Sequence, residues 1–167
     1  MAPARKPARS GLTLLELVIT VALLATLGVL ALPGFGSQMD RQRLRHAAQT
    51  FAGDIAEARF LAAQRGQTVY LQSGSGPAWC WSVAMTPGCE CGAPQSCRVH
   101  AVGAADHPGV RLVSAPALQL DPMGMAQSTS GAVFESARGE RLRVDVSPQG
   151  RPRICTLSGN WPQIPDC

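Results

Sequence analysis

Two arginines near the end of the sequence stand at a spacing suited to binding anions, in the stretch "GRPR" from Gly150 to Arg153. In extended backbone, residues i and i+2 project to the same side, about 6.6 Å apart. That distance is close to the step between successive phosphates of a nucleic-acid strand, and a planar guanidinium suits bidentate phosphate contact. Pro152 favours an extended Arg151, and Gly150 allows a turn. The alternative interpretation is a turn with two solvated arginines.

The charge that supports this interpretation is local. Three of the 15 basic residues, Arg5, Lys6 and Arg9, lie in the first eleven positions, and the remaining 12 face 11 acidic residues. Five arginines stand between Arg138 and Arg153 against two acidic residues. Arg141 and Arg143 repeat the i, i+2 spacing, so we include them among the candidate anion contacts.

The six cysteines predict structural disulfides rather than a metal site. They lie at Cys80, Cys89, Cys91, Cys97, Cys155 and Cys167. An even number beside an N-terminal export signal favours disulfides, and the paired C-x-x-C knuckles of zinc sites are absent from the sequence. We predict a bridge from Cys155 to Cys167. The other four cysteines can pair in three ways, of which we favour Cys80–Cys89 with Cys91–Cys97. No metal or other cofactor is expected.

An apolar segment follows the basic N-terminus. Residues Leu12 to Leu32 contain a single charge, Glu16, and as a helix they would span roughly 30 Å, one bilayer core. A secretory signal peptide or a plain membrane anchor would account for the apolar character, but a carboxylate within the segment argues against both because its burial in lipid is unfavourable. The basic residues before it predict that the rest of the chain is exported.

This N-terminus resembles that of type IV pilins and pseudopilins. The resemblance implies that a prepilin peptidase cuts after Gly11, so that Leu12 becomes the methylated first residue and Glu16 the fifth. Phenylalanine is more usual than Leu12 at that first position. In such a filament Glu16 is expected to pair with the amino terminus of a neighbouring subunit.

The remainder predicts a helix followed by strands. After a break expected at Pro33 and "GFGS", residues 38–64 carry one apolar stripe at helical spacing, and Gly66 is a stop signal. From residue 68 apolar and polar residues tend to alternate in short segments separated by Gly, Pro and Ser. This pattern predicts an antiparallel β domain. The strand candidates are 68–73, 79–85, 97–102, 109–115, 132–136, 141–147 and 151–157, with a longer loop at 117–131.

This order is similar to the GspH/FimT subgroup of minor pilins, and "FAGDIAEARFLAAQRGQTVYL" adds to the likeness. The resemblance implies an α+β fold in which a long N-terminal helix packs on an antiparallel β domain of two small sheets. The expected parts are a leader (1–11), a membrane-spanning half-helix (12–33), an amphipathic half-helix (34–66) and a disulfide-containing β domain (67–167).

"GRPR" also resembles the G-R-x-R motif of FimT-type pilins from naturally transformable bacteria, where it contributes to DNA binding. The resemblance implies a non-enzymatic minor pilin that binds extracellular DNA through Arg151 and Arg153, with Gly150 as a conformational element. It further implies inner-membrane residence with a periplasmic domain, and a place in the pilus beside other pilins after assembly. The alternative is a type II secretion pseudopilin or pilus-priming subunit that makes only protein contacts.

Overall fold

One long helix opens the fold. The computed structural model describes residues 13–91, 97–128 and 131–167, with only the backbone at 28–35. Helix α1 covers Leu14–Arg65 without interruption, so the break predicted at Pro33 and "GFGS" is wrong. A proline removes only one hydrogen bond from a helix, and glycine can adopt helical angles, so neither has to end it. The helix ends where predicted: Gly66 has a φ of 62°, and the Gln67 amide donates to the Ala62 carbonyl at 3.3 Å.

The chain divides into two units, with the boundary between Ser37 and Gln38. In the first unit, the side chains of α1 from Leu14 to Leu27 are exposed. Within the part of the chain that the structure describes, no helix is long and apolar enough to cross a membrane. The predicted leader, residues 1–11, lies outside the described residues, as do Leu12 and the side chains at 28–33 of the predicted span.

The second unit contains two four-stranded sheets, and all strand pairs in them are antiparallel. The first sheet has the order β3-β2-β1-β5, and the second has the order β4-β6-β7-β8. Their strands are β1 (Val69–Gly74), β2 (Cys80–Ala84), β3 (Arg98–Gly103), β4 (Val110–Ser114), β5 (Leu118–Leu120), β6 (Gly131–Ser136), β7 (Arg141–Val146) and β8 (Pro152–Ser158). The predicted α+β class with two small sheets is therefore confirmed.

Strand β5 was missed by the sequence prediction, which placed it in a loop. It has only three residues, but Leu118 and Leu120 are buried and Gln119 between them is exposed, as expected for a strand with one face on the core. Its partner is β1, where Val69 pairs with Leu120 and Leu71 pairs with Leu118. Three residues are too few for alternation alone to identify a strand.

The core of this unit forms between α1 and both sheets. The predicted stripe of the helix is buried in full: Leu44, Ala48, Phe51, Ile55, Ala58 and Ala62. Trp79 and Trp81 are also buried and stacked, with ring centroids 5.5 Å apart, and Phe51 and Phe134 meet Trp81 edge-on. This aromatic cluster fixes the helix against β2 and β6.

All six cysteines form disulfides, but two of the predicted pairings are wrong. The bridges are Cys80–Cys91, Cys89–Cys97 and Cys155–Cys167, of which only the last matches the prediction. After β2 the chain turns back alongside the strand, and the Ser82 hydroxyl donates to the Cys89 carbonyl at 2.9 Å. This return places Cys91, not Cys89, opposite Cys80. Because every cysteine is bonded, no thiolate is available to a metal.

Candidate anion-binding site

Gly150 and Arg151 belong to the tight hairpin that joins β7 to β8. Val146 pairs with Pro152, the Gly150 amide donates to the Ser147 carbonyl at 2.8 Å, and the Ser147 amide donates to the Arg151 carbonyl at 3.0 Å. Gly150 has a φ of 69°, in the left-handed region that favours glycine. These bonds describe a β-turn followed by one left-handed residue, a common three-residue hairpin connection.

A second hairpin in the same sheet has the same hydrogen bonds. Between β6 and β7, the Gly139 amide donates to the Ser136 carbonyl at 3.0 Å, and the Ser136 amide donates to the Glu140 carbonyl at 2.9 Å. Gly139 has a φ of 82°. The sequences "SARGE" and "SPQGR" therefore build equivalent turns, and they differ in the charge of the residue that follows the glycine.

The tip of the β7–β8 hairpin is held by a contact with the loop that follows β5. The Ala126 amide donates to the Pro148 carbonyl at 3.0 Å, which ties the tip to the loop at 121–126. A Cβ at Gly150 would collide with the Gly124 carbonyl oxygen and would lie 3.2 Å from Cδ of Arg59. Position 150 thus requires a glycine for two reasons: the backbone is in the left-handed region, and a side chain would collide with Gly124.

Arg151 and Arg153 are exposed, and neither forms an ion pair within the described part of the chain. Arg153 lies in β8 opposite Asp145 of β7. The Asp145 carboxylate is already occupied, because Nε of Arg143 lies 2.5 Å from its Oδ1. Both arginines of "GRPR" therefore present their charge to solvent, without a counter-ion among the residues that the structure describes.

The other arginines of the sequence cluster are paired. Arg141 donates from Nε to Oε2 of Glu135 at 2.7 Å, and Arg138 donates from Nε to Oδ2 of Asp40 at 3.0 Å. Arg143 is close to Asp145, although the two are not aligned for a hydrogen bond. Of the five arginines between 138 and 153, only Arg151 and Arg153 are without a carboxylate among the described residues.

Glu135 shows how firmly Arg141 is held. The carboxyl is buried, and hydrogen bonds from Arg111 and then Arg141 hold its pKa below the usual range. If Arg141 turned away to contact a ligand, the buried Glu135 carboxylate would lose one of its two cations, which is unfavourable. Arg141 therefore fits the predicted set of anion contacts less well than Arg151 and Arg153 do.

Arg59 of α1 was missed as a site residue by the sequence prediction. Its Cδ passes beside Gly150, and its Cγ would lie 2.6 Å from a Cβ at Gly124. Its Nε is buried and has no hydrogen-bond partner among the described residues. In the sequence Arg59 is one arginine within the helical segment, and nothing in that segment indicates the distant loop that it contacts.

The predicted processing residues are described in part. Gly11 and Leu12 lie outside the described residues. Glu16 is exposed in the first turn of α1, where its amide donates to the Thr13 hydroxyl at 3.3 Å. Thr13 thus caps the helix, and a glutamate three residues later completes a common capping pattern.

Comparison with protein families gives a match to "Type II transport protein GspH" over residues 47–150, more than half of the chain. The matched region includes the C-terminal part of α1, from residue 47 onward, and β1 to β7. It ends at Gly150, so Arg151 and Arg153 lie beyond it. Neither the search of curated proteins nor the search of solved structures finds a match. The chain belongs to the family of the type II transport protein GspH, and so to the pilin-like and pseudopilin-like proteins.

Proposed function

We propose that this protein is a minor pilin that binds extracellular DNA non-specifically through Arg151 and Arg153, in support of DNA uptake during natural transformation. The observation that carries the proposal is a pair of exposed arginines on an anchored hairpin, neither of which has a carboxylate partner in the described part of the chain. Family membership supports the pilin or pseudopilin part of the proposal. The protein acts by binding and not by catalysis.

The geometry suits a phosphate backbone. Arg153 lies within β8 and Arg151 directly precedes it, so their spacing approaches the extended value of about 6.6 Å. The hairpin bonds and Pro152 restrict the backbone before any ligand arrives, which lowers the entropy lost on binding. Two such contacts carry no base information, so binding is independent of sequence.

Binding through two phosphates is weak and depends on salt. Each neutralised phosphate contributes about 0.9 to the slope of log affinity against log salt on double-stranded DNA. We expect micromolar or weaker affinity for one subunit. Several subunits of a filament on one DNA molecule would increase the avidity.

The rest of the life cycle follows the N-terminal resemblance. We propose that a prepilin peptidase cleaves after Gly11, that Leu12 becomes the mature N-terminus, and that Glu16 guides assembly. Before assembly the subunit would be a single-pass protein of the inner membrane with a periplasmic C-terminal domain. After assembly it would lie in the pilus at the cell surface, in contact with other major and minor pilins.

A binding titration tests the proposal. The protein is the unit 38–167, which contains all the buried core residues of the described chain, and the ligand is a labelled DNA duplex at low salt. We expect binding by the wild type and at least a tenfold loss of affinity in Arg151→Ala/Arg153→Ala. Arg43→Ala/Arg45→Ala is the matched control, because these two arginines are also exposed and two residues apart. Equal losses in both variants would reduce the effect to bulk charge and contradict the proposal.

The family match favours one second candidate. The matched family is described as a type II transport protein, and the match ends before Arg151. In that alternative the protein is a minor pseudopilin of type II secretion, or a pilus-priming subunit, and the two arginines contact another pilin. A wild-type domain that fails to bind DNA at low salt but binds a partner minor pilin through Arg151 and Arg153 would favour this candidate.

A further inference from the structure

Arg59 contacts the tip of the β7–β8 hairpin, and the proposed function does not use it. It lies on α1, more than 90 residues before "GRPR" in the sequence. Its Cδ would be 3.2 Å from a Cβ at Gly150, the residue directly before Arg151. The fold thus brings an arginine of the helix beneath the tip that presents Arg151 and Arg153.

Two glycines make room for this side chain. A Cβ at Gly124 would lie 2.6 Å from Cγ of Arg59 and 3.3 Å from its Nε, and Gly150 borders its Cδ. Both glycines have positive φ, 74° and 69°. The loop at 121–126 and the hairpin tip therefore enclose the stem of Arg59 and fix its direction.

The guanidinium of Arg59 has no partner among the described residues. Its Nε is buried without a hydrogen bond, and no carboxylate forms an ion pair with it within the described ranges. Buried polar groups in proteins are nearly always hydrogen-bonded, so an unpaired donor at this place requires an explanation. Arg59 as a whole is only half-buried, so part of the side chain remains accessible to a ligand.

We propose that Arg59 is a third phosphate-binding residue of the hairpin site, which acts together with Arg151 and Arg153. This inference rests on the proposed function and extends the site from one hairpin to the helix beneath it. A phosphate oxygen is the kind of acceptor that a guanidinium without a carboxylate binds well. The occupant is the DNA backbone that already lies on the two arginines of the tip.

The alternative is that Arg59 only supports the hairpin with its apolar stem. Long cationic side chains often cover apolar surface in this way. The two roles differ in one measurable quantity. A phosphate contact contributes to the salt dependence of binding, whereas a purely structural support changes the affinity and leaves the salt slope as it was.

The experiment titrates a labelled DNA duplex onto the full-length protein in non-ionic detergent at several salt concentrations. Arg59→Met keeps much of the stem and removes the charge. We expect it to weaken binding about three- to tenfold and to reduce the slope of log affinity against log salt by about 0.9. Arg59→Lys should keep most of the slope. Arg59→Gln carries the same test if the methionine variant does not fold.

Arg65→Met is the matched control, because Arg65 is an exposed arginine in the last turn of the same helix. It should change neither affinity nor slope by more than the experimental error. An Arg59→Met protein with the wild-type slope would overturn the inference, whether or not its affinity falls. If the wild type binds and Arg151→Ala/Arg153→Ala does not, that result leaves the proposed function intact. A wild type that does not bind would remove both.

Discussion

Gly150 is the residue on which the presentation of the arginines depends most. Alanine there would have to adopt a left-handed conformation and would also collide with the Gly124 carbonyl. We expect Gly150→Ala to lower the free energy of unfolding by about 2–3 kcal/mol and to weaken DNA binding, because the hairpin tip must move. Urea denaturation and a binding titration of the same protein measure the two effects.

Gly139 provides the matched control for this substitution. It occupies the equivalent place in the β6–β7 hairpin with a φ of 82°, but a Cβ there would meet nothing within 4 Å. Gly139→Ala should therefore show only the conformational cost, about 1 kcal/mol, and no change in DNA affinity. Equal costs at both glycines would mean that the contact with Gly124 contributes nothing.

Asp54 is a buried carboxylate that the site does not use. Its Oδ2 accepts a hydrogen bond from Nε1 of Trp81 at 2.6 Å. Burial raises the pKa of the Asp54 carboxyl above its ordinary value, and the bond from Trp81 only partly opposes this. Since the folded protein holds this proton more tightly than the unfolded chain does, the carboxyl stabilises the fold at low pH. That stability is lost as the pH rises from 3.8 through the folded pKa.

Asp54→Asn keeps an oxygen for Trp81 and removes the charge. We expect the variant to be at least as stable as the wild type at pH 7, with an advantage that grows between pH 4 and pH 7, as measured by urea denaturation at the two pH values. Asp54→Ala leaves the indole N–H without its acceptor and should cost about 1–3 kcal/mol. An asparagine variant clearly less stable than the wild type at pH 7 would show that the charged form is needed.

The sequence predicted the exposed arginines of the site but could not show which of its arginines are paired. Arg138 meets Asp40, and Arg141 meets Glu135 across a hairpin. The first of these partners is 98 residues away along the chain. A count of charges along the sequence gives Arg141 and Arg151 the same weight. Only the register of the sheet shows that Arg141 faces a carboxylate and that Arg151, within the described residues, does not.

At the scale of elements, the Cys155–Cys167 bridge fastens the C-terminal tail to β8. Beside it the Thr156 amide donates to the Pro165 carbonyl at 2.9 Å. The bridge closes a loop with a sequence separation of 12. We expect Cys155→Ala/Cys167→Ala to lower the free energy of unfolding by about 3 kcal/mol, as measured by chemical denaturation.

The same variant separates stability from binding. Since Gly150, Arg151 and Arg153 precede the bridge and are held by the hairpin and the loop at 121–126, DNA affinity should stay within about twofold of the wild type at a temperature where both proteins are folded. A tenfold loss of affinity in a folded variant would show that the bridge restrains the arginines.

Elements in which apolar residues recur at a clear helix or strand spacing were predicted well. Elements that depend on tertiary contacts were not. The buried stripe of α1, the stop at Gly66 and seven of the strands follow from apolar spacing and turn residues. Strand β5 depends on its pairing with β1, and the bridge from Cys80 to Cys91 depends on how the chain returns along β2. The alternation in "LQL" was visible but too short to decide.

At the scale of the whole molecule, we propose that Glu16 acts in assembly rather than in folding. It lies in the first unit, outside the core between α1 and the sheets. We expect Glu16→Ala to leave membrane insertion and the stability of the second unit unchanged, because its carboxylate is expected to act only on a neighbouring subunit. Cell fractionation should find the variant in the membrane, and analysis of sheared filaments should find less of it in pili than of the wild type. Normal incorporation would contradict this role.

Binding of DNA at the β7–β8 hairpin can be observed by amide NMR of the isotope-labelled unit 38–167 during a titration with a DNA duplex at low salt. We expect the largest shift changes at the non-proline residues of 147–153. These changes should decrease as salt is added and vanish in Arg151→Ala/Arg153→Ala. Shift changes centred on Arg43 and Arg45, or none in the wild type at low salt, would contradict binding at this hairpin.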